Sequence, residues 1–219
     1  MKRAVKAVLF DLDGTLIDSA PDLAGAANDM RLDRGLSELP YESFRPMVGS
    51  GARGMIGAGF DIVPGHGEFE AMRDEFLNRY EQRMTQLTRV FDDVLPLLSA
   101  LEAASIPWGI VTNKATRFAS PLVQALNLDQ RAAVLIAGDT TAHSKPHPEP
   151  LLEAARRIRV LPQDCVYVGD DLRDVQAGHA AGMLTVAVRW GYLGFGEPID
   201  AWGAHHIASS PADILTLLT

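Results

Sequence analysis

Two aspartates, Asp11 and Asp13, directly follow a short apolar run and are themselves followed by Gly14-Thr15. A carboxylate can attack phosphorus and carry the phosphoryl group as an acyl phosphate. A second carboxylate two residues on, pointing to the other side of an extended segment, can protonate the departing alkoxide and then deprotonate the hydrolytic water. Three further clusters hold what such a reaction needs. Thr112-Asn113 offers a hydroxyl and amides at a helix start, where anions bind. Ser144-Lys145 offers a fixed cation to offset crowded carboxylates. Asp170-Asp171, with Asp174 a turn later, offers acids. Asp11, Asp170 and the Asp13 backbone carbonyl are hard oxygen ligands suited to Mg²⁺, with positions left for water and phosphate. Asp174 is expected behind the metal or on a metal-bound water, and Asp171 equally as a helix-start residue. Gly14 would allow the tight departure from the strand, and Thr15 would hold Asp13 by a hydrogen bond.

The elements that must position these groups are legible as apolar runs. Residues 5–10, 108–111, 134–137, 166–168 and 185–188 are short, rich in Val, Ile and Leu, and lack polar alternation. That is the pattern of strands covered on both faces, as in a parallel sheet. Helical spacing over 94–104, 118–126 and 149–158 separates them, which predicts a doubly wound, Rossmann-like α/β domain. Each polar cluster then lies at or just beyond the carboxyl end of a strand, the edge where such sheets bind ligands. Four clusters spread over some 160 residues of sequence are thereby predicted to meet in one pocket. The stretch 15–91 has no convincing buried strand but does have helical segments at 20–30 and 69–84. It reads as an inserted helical cap: core 1–15 and 91–219, cap 16–90. The stripe Phe69, Met72, Phe76 and Tyr80 reads as cap core.

Asp11-Leu12-Asp13-Gly14-Thr15, Val111-Thr112-Asn113, Ser144-Lys145-Pro146 and Gly169-Asp170-Asp171-Leu172-Arg173-Asp174 resemble, in order, the four motifs of the haloacid dehalogenase superfamily. The resemblance runs from Val5 to about Tyr192, and the helical block sits where that superfamily inserts its first cap type. Within the superfamily the chain is similar to the phosphoglycolate phosphatase group. The resemblance implies a Mg²⁺-dependent phosphatase with Asp11, Asp13, Thr112 and Lys145 as catalytic residues and Thr112 and Asn113 around the phosphate. Typical members of that group carry Ser where this chain has Asp171. The departure favours a larger carboxylated ester, N-acetylmuramic acid 6-phosphate, over 2-phosphoglycolate. Gly49-Ser50-Gly51-Ala52-Arg53-Gly54 matches a dinucleotide fingerprint, but no strand precedes it. It reads instead as a cap loop opening a helix, with the Gly51 amide facing substrate and Arg53 available for a carboxylate.

Twenty basic against 28 acidic residues give a net charge of −8, and no Lys/Arg run offers a face for nucleic acid. No apolar run approaches a membrane span. Two early acids break the first apolar stretch, so it reads as a strand and not as a secretion signal. The single cysteine, Cys165, excludes an internal disulfide and suits a reducing cytosol; it reads as packing. The expected partner is a small phosphate ester, and the expected state is a cytoplasmic monomer. A receiver-type domain would lack both the insertion and Asp13, and a dehalogenase has no use for Asp13. A phosphonate hydrolase needs a cap lysine, whereas the four lysines, at 2, 6, 114 and 145, all lie outside the insertion. A sugar-phosphate mutase stays open. His143 and His147 have zinc-like helical spacing, but Pro146 and Pro148 break any such helix, which argues against a zinc site. His205-His206 reads as part of a final strand.

Overall fold

The computed structural model describes residues 5–194 and 196–217. Residues 1–4, which belong to the expected core and to the reading of the amino terminus, lie outside them. The described elements run β1 (Ala7–Phe10), β2 (Ile17–Asp18), α1 (Ala20–Asp33), α2 (Tyr41–Phe44), α3 (Gly51–Phe60), α4 (Phe69–Arg83), β3 (Arg89–Val90), α5 (Val94–Ala103), β4 (Trp108–Val111), α6 (Thr116–Ala125), β5 (Leu135–Ile136), α7 (Glu149–Ile158), β6 (Cys165–Gly169), α8 (Leu172–Ala180), β7 (Leu184–Val188), β8 (His206–Ala208) and α9 (Pro211–Leu215).

Six strands form one sheet in the order β5-β4-β1-β6-β7-β8, and every pairing within it is parallel. The period of two along β1 explains why its run is apolar throughout. Val8 and Phe10 belong to one buried cluster with Leu97 and Leu98 of α5 and Leu122 of α6. Ala7 and Leu9 face the other way, onto Leu151 and Ala154 of α7 and Ala177 of α8. With helices on both faces, the fold is the doubly wound α/β sheet expected. All five expected strands form. β8 adds a sixth that holds His206, with His205 immediately before it, bonded to Thr185.

Helices α1 to α4 occupy the stretch between β1 and α5. Phe69, Met72, Phe76 and Tyr80 are buried, as their spacing predicted. The sequence reading missed β2 and β3. They pair antiparallel, Ile17 opposite Val90 and Asp18 opposite Arg89, where the chain leaves for the helical segment and returns from it. Two residues per strand are too few to show a period. No helix among the described residues is long and apolar enough to cross a membrane.

Candidate active site

Because β1, β4 and β6 run parallel, the residues after them emerge at one edge of the sheet. Asp11, Asp13, Thr112, Asn113, Lys145, Asp170 and Asp174 line one cavity of about 260 Å³, and Gly49, Ser50 and Gly51 of the helical segment line it from the other side. The turn after Asp13 depends on Gly14, whose φ of +85° favours glycine. A Cβ there would also lie 2.3 Å from Asp170 Oδ2 and 2.8 Å from the Tyr192 ring.

Lys145 is buried at the base of the cavity. Its Nζ donates to Asp11 Oδ1 at 2.8 Å, to Asp174 Oδ1 at 2.7 Å, to the Tyr167 hydroxyl at 2.9 Å and to the Val111 carbonyl at 3.0 Å. Burial opposes its charge, but Asp11 and Asp174 hold its pKa above the ordinary lysine value. One cation does not match the acids around it. Burial pushes the Asp11 carboxyl up to about 7; Lys145 opposes this shift and the charge of Asp174 adds to it. Asp170 is likewise raised well above the usual carboxylate range, by burial and then by Asp11 and Asp174.

One carboxylate oxygen from each of Asp11, Asp170 and Asp174 lies within 4.8 Å of the others, a buried set of hard donors short of positive charge. That donor set fits a divalent cation such as Mg²⁺. Asp174 already has a partner at each oxygen: Lys145 and the Tyr167 hydroxyl at Oδ1, and the Asp171 amide N–H at Oδ2.

Asp13 has a different set of neighbours. Lys114 Nζ donates to its Oδ1 at 3.0 Å, and the buried Ser19 hydroxyl donates to the same oxygen. Lys114 in turn sits 4.7 Å from the centre of the Tyr80 ring of α4, a cation–π contact from the helical segment.

Two residues, Thr15 and Arg53, are placed differently from the sequence expectation. Thr15 does not reach Asp13. Its hydroxyl donates to Asp170 Oδ1 at 2.9 Å, because the Gly14 turn swings it toward β6. Arg53 is exposed on α3 and does not line the cavity, whereas Gly51 does. Asn113 lines the wall, but its side-chain amide exchanges two 2.9 Å bonds with the Lys145 backbone and so clamps that lysine's loop. Asp171 caps α8, accepting from the Arg173 N–H at 2.9 Å, which is the helix-start role it could equally have had.

The residues 143–147 form no helix, as the prolines predicted. The intervening turn nonetheless stacks the two imidazoles 4.2 Å apart, away from the cavity. Burial pushes the Cys165 thiol up to about 11, in keeping with a packing role.

A family model described as haloacid dehalogenase-like hydrolase matches residues 8–188. The chain belongs to that family. It is 42% identical over 219 residues to an N-acetylmuramic acid 6-phosphate phosphatase of Pseudomonas aeruginosa, covering 100% of this chain and 97% of the relative. It is 46% identical over 213 residues to a phosphoglycolate phosphatase of Xanthomonas campestris, covering 97% and 96%. Among solved structures, one described as "a predicted phosphoglycolate phosphatase" from Haemophilus somnus superposes with a TM-score of 0.86 at 28% identity, over 98% of each chain. The chain is a phosphoric monoester hydrolase of this superfamily.

Sequence reasoning assigned no role in the site to four residues that the structure brings there. Lys114 and Ser19 hold Asp13. Tyr192 donates its backbone N–H to Asp170 Oδ2 at 2.8 Å, and its hydroxyl accepts from the Ser19 N–H. Arg173 lines the cavity beside Asp171. Only Lys114 and Arg173 carried a signal, as basic residues directly after Thr112-Asn113 and inside the Gly169–Asp174 motif. Ser19 and Tyr192 arrive by tertiary approach alone.

Proposed function

We propose that the chain hydrolyses a small carboxylated phosphate monoester, N-acetylmuramic acid 6-phosphate, through a phosphoryl group carried on Asp11, with residues 16–90 acting as a cap over the site. The observation that carries the mechanism is the division of partners between two acids only two residues apart. Asp11 faces Lys145 and the metal-competent acids, whereas Asp13 faces Lys114 and Ser19.

The chemistry follows from that division. An Asp11 carboxylate oxygen attacks phosphorus as the ester P–O bond breaks, and the leaving alkoxide takes a proton from Asp13. The Asp13 carboxylate then takes a proton from water, whose oxygen attacks the same phosphorus. The Asp11–phosphorus bond breaks, phosphate leaves, and both acids are restored. Thr112, at the end of β4, contributes a hydroxyl at the phosphate position. Asp11, Asp170 and the Asp13 carbonyl would hold Mg²⁺, which supplies the charge that lets an anionic ester approach an anionic nucleophile.

Asp13→Asn should lower kcat by about 10²–10⁴-fold while the protein stays folded; unchanged kcat would remove Asp13 from the proton transfers. Excess chelator should stop turnover and added Mg²⁺ restore it, and full activity in chelator would refute the metal assignment.

The ranking rests on Asp171, which departs from the Ser of typical phosphoglycolate phosphatases; identities of 42% to an N-acetylmuramic acid 6-phosphate phosphatase and 46% to a phosphoglycolate phosphatase do not rank the two esters. The cavity itself favours a second reading. At about 260 Å³ it is smaller than usual ligand clefts of roughly 300–1,000 Å³. It would take 2-phosphoglycolate as it stands, whereas a hexosamine phosphate requires the helical segment to stand further from the sheet. Steady-state kinetics on the two esters side by side tests the ranking. A higher kcat/KM for N-acetylmuramic acid 6-phosphate is expected, and a preference for 2-phosphoglycolate would reverse it.

A further inference from the structure

Resting on the carboxylated-ester reading above, we infer that Arg173 forms the subsite that binds the substrate's carboxylate, the role the sequence suggested for Arg53. Among the described residues, three cationic side chains line the cavity: Lys114, Lys145 and Arg173. Both lysines are committed at the reacting end, Lys114 to Asp13 and Lys145 to Asp11 and Asp174. Arg173 opens α8, and its side chain reaches the helical segment, where Nη2 donates to the Gly49 carbonyl. It therefore lies where the organic part of an ester anchored at Asp11 must extend.

The guanidinium is fixed in place. Asp171 accepts from Nε at Oδ1 and from Nη2 at Oδ2, both at 2.8 Å, so two parallel bonds set the plane of the fork. Gly49 permits this close approach, because a Cβ there would lie 3.1 Å from Asp171 Oδ2 and 3.3 Å from Arg173 Nη2. Nη1 has no hydrogen-bond partner among the described residues. It offers directional N–H donors from an already ordered side chain, the arrangement that recognises a carboxylate without a further ordering cost. Asp171 offsets the charge of Arg173, so recognition draws on the hydrogen bonds of Nη1 and discriminates by position more than by net charge.

Two arginines of the helical segment, Arg45 and Arg53, do not compete for this role. Arg45 donates to the Trp190 and Gly191 carbonyls and lies over the Tyr192 ring. Arg53 is exposed on α3, outside the cavity lining.

The test compares wild type, Arg173→Gln and Arg173→Lys on two pairs of esters. N-acetylmuramic acid 6-phosphate is paired with N-acetylglucosamine 6-phosphate, which lacks the lactyl carboxylate. 2-Phosphoglycolate is paired with ethyl phosphate. Wild type should prefer the carboxylated member of the pair it turns over faster. Arg173→Gln should shrink that preference by about 10- to 100-fold, mainly through KM, as expected for loss of a charge-assisted hydrogen bond. Its kcat/KM on the carboxylate-free member should change far less, and Arg173→Lys should restore part of the preference.

A preference that survives Arg173→Gln would overturn the subsite. Equal loss on both members of a pair would also overturn it, leaving Arg173 only its contact with Gly49. Absence of any carboxylate preference in wild type would overturn the carboxylated-ester reading itself, and the subsite with it.

Discussion

Asp11→Asn should abolish turnover, by at least about 10⁴-fold, in a protein that remains folded. The amide keeps the shape of the side chain but cannot attack phosphorus. The fold should tolerate the change, because the ionised Asp11 carboxylate is an electrostatic cost to the metal-free protein. Burial raises its pKa from 3.8 to about 7, so the folded state favours the protonated form. The sign follows from linkage: a carboxyl raised on folding loses stability as pH climbs from 3.8 through about 7. At neutral pH a neutral isostere removes that cost, and Lys145 keeps Asp174, Tyr167 and Val111 as partners. The Tm of the variant, measured without Mg²⁺ at neutral pH, should equal or exceed that of wild type. Retained activity would remove Asp11 as the nucleophile. A lower Tm would show that its charge supports the fold.

Lys145→Met should act in the opposite direction on stability and in the same direction on rate. Asp11, Asp170 and Asp174 would be left as crowded, buried acids without the cation between them. Removing one partner of a buried ion pair costs about 3–5 kcal/mol, because the remaining charge is left uncompensated. Against burial, Asp11 and Asp174 raise the lysine's pKa. A lysine raised on folding contributes its stability below its ordinary, unfolded value of 10.5 and loses it only as pH rises through the higher folded value, so the whole contribution is present at neutral pH. Urea unfolding at neutral pH without Mg²⁺ should show the loss, and added Mg²⁺ should recover part of it. Turnover should fall by about 10²–10³-fold through lost electrostatic stabilisation. A variant as stable as wild type would mean that Lys145 does not offset these acids.

The convergence of the site was legible because it depends on two local signals. Apolar runs without alternation mark strands buried on both faces, and parallel strands put their carboxyl ends on one edge. Knowing those two things was enough to bring Asp11, Asp13, Thr112, Asn113, Lys145, Asp170 and Asp174 together across the chain. What was not legible depends on backbone direction or tertiary approach. Thr15 was paired with Asp13 by proximity in sequence, but the left-handed Gly14 turn points it at Asp170. Arg53 was placed toward substrate by its loop motif, but its position on α3 leaves it facing solvent. Ser19 and Tyr192 meet the acids from elements that carry no catalytic pattern. The histidines at 143 and 147 show the same limit: the prolines did remove a helix, but a turn brings the rings together by another route.

The most direct test is to look for the phosphoryl group on the enzyme. Wild type would be mixed with ³²P-labelled phosphate ester and Mg²⁺, quenched in acid within a turnover, digested and mapped. Label that is stable to acid and released by hydroxylamine should appear on the peptide containing Asp11, and should be absent from Asp11→Asn. Turnover with no label on the protein, or label on a different residue, would contradict the assignment of Asp11 as the phosphoryl carrier.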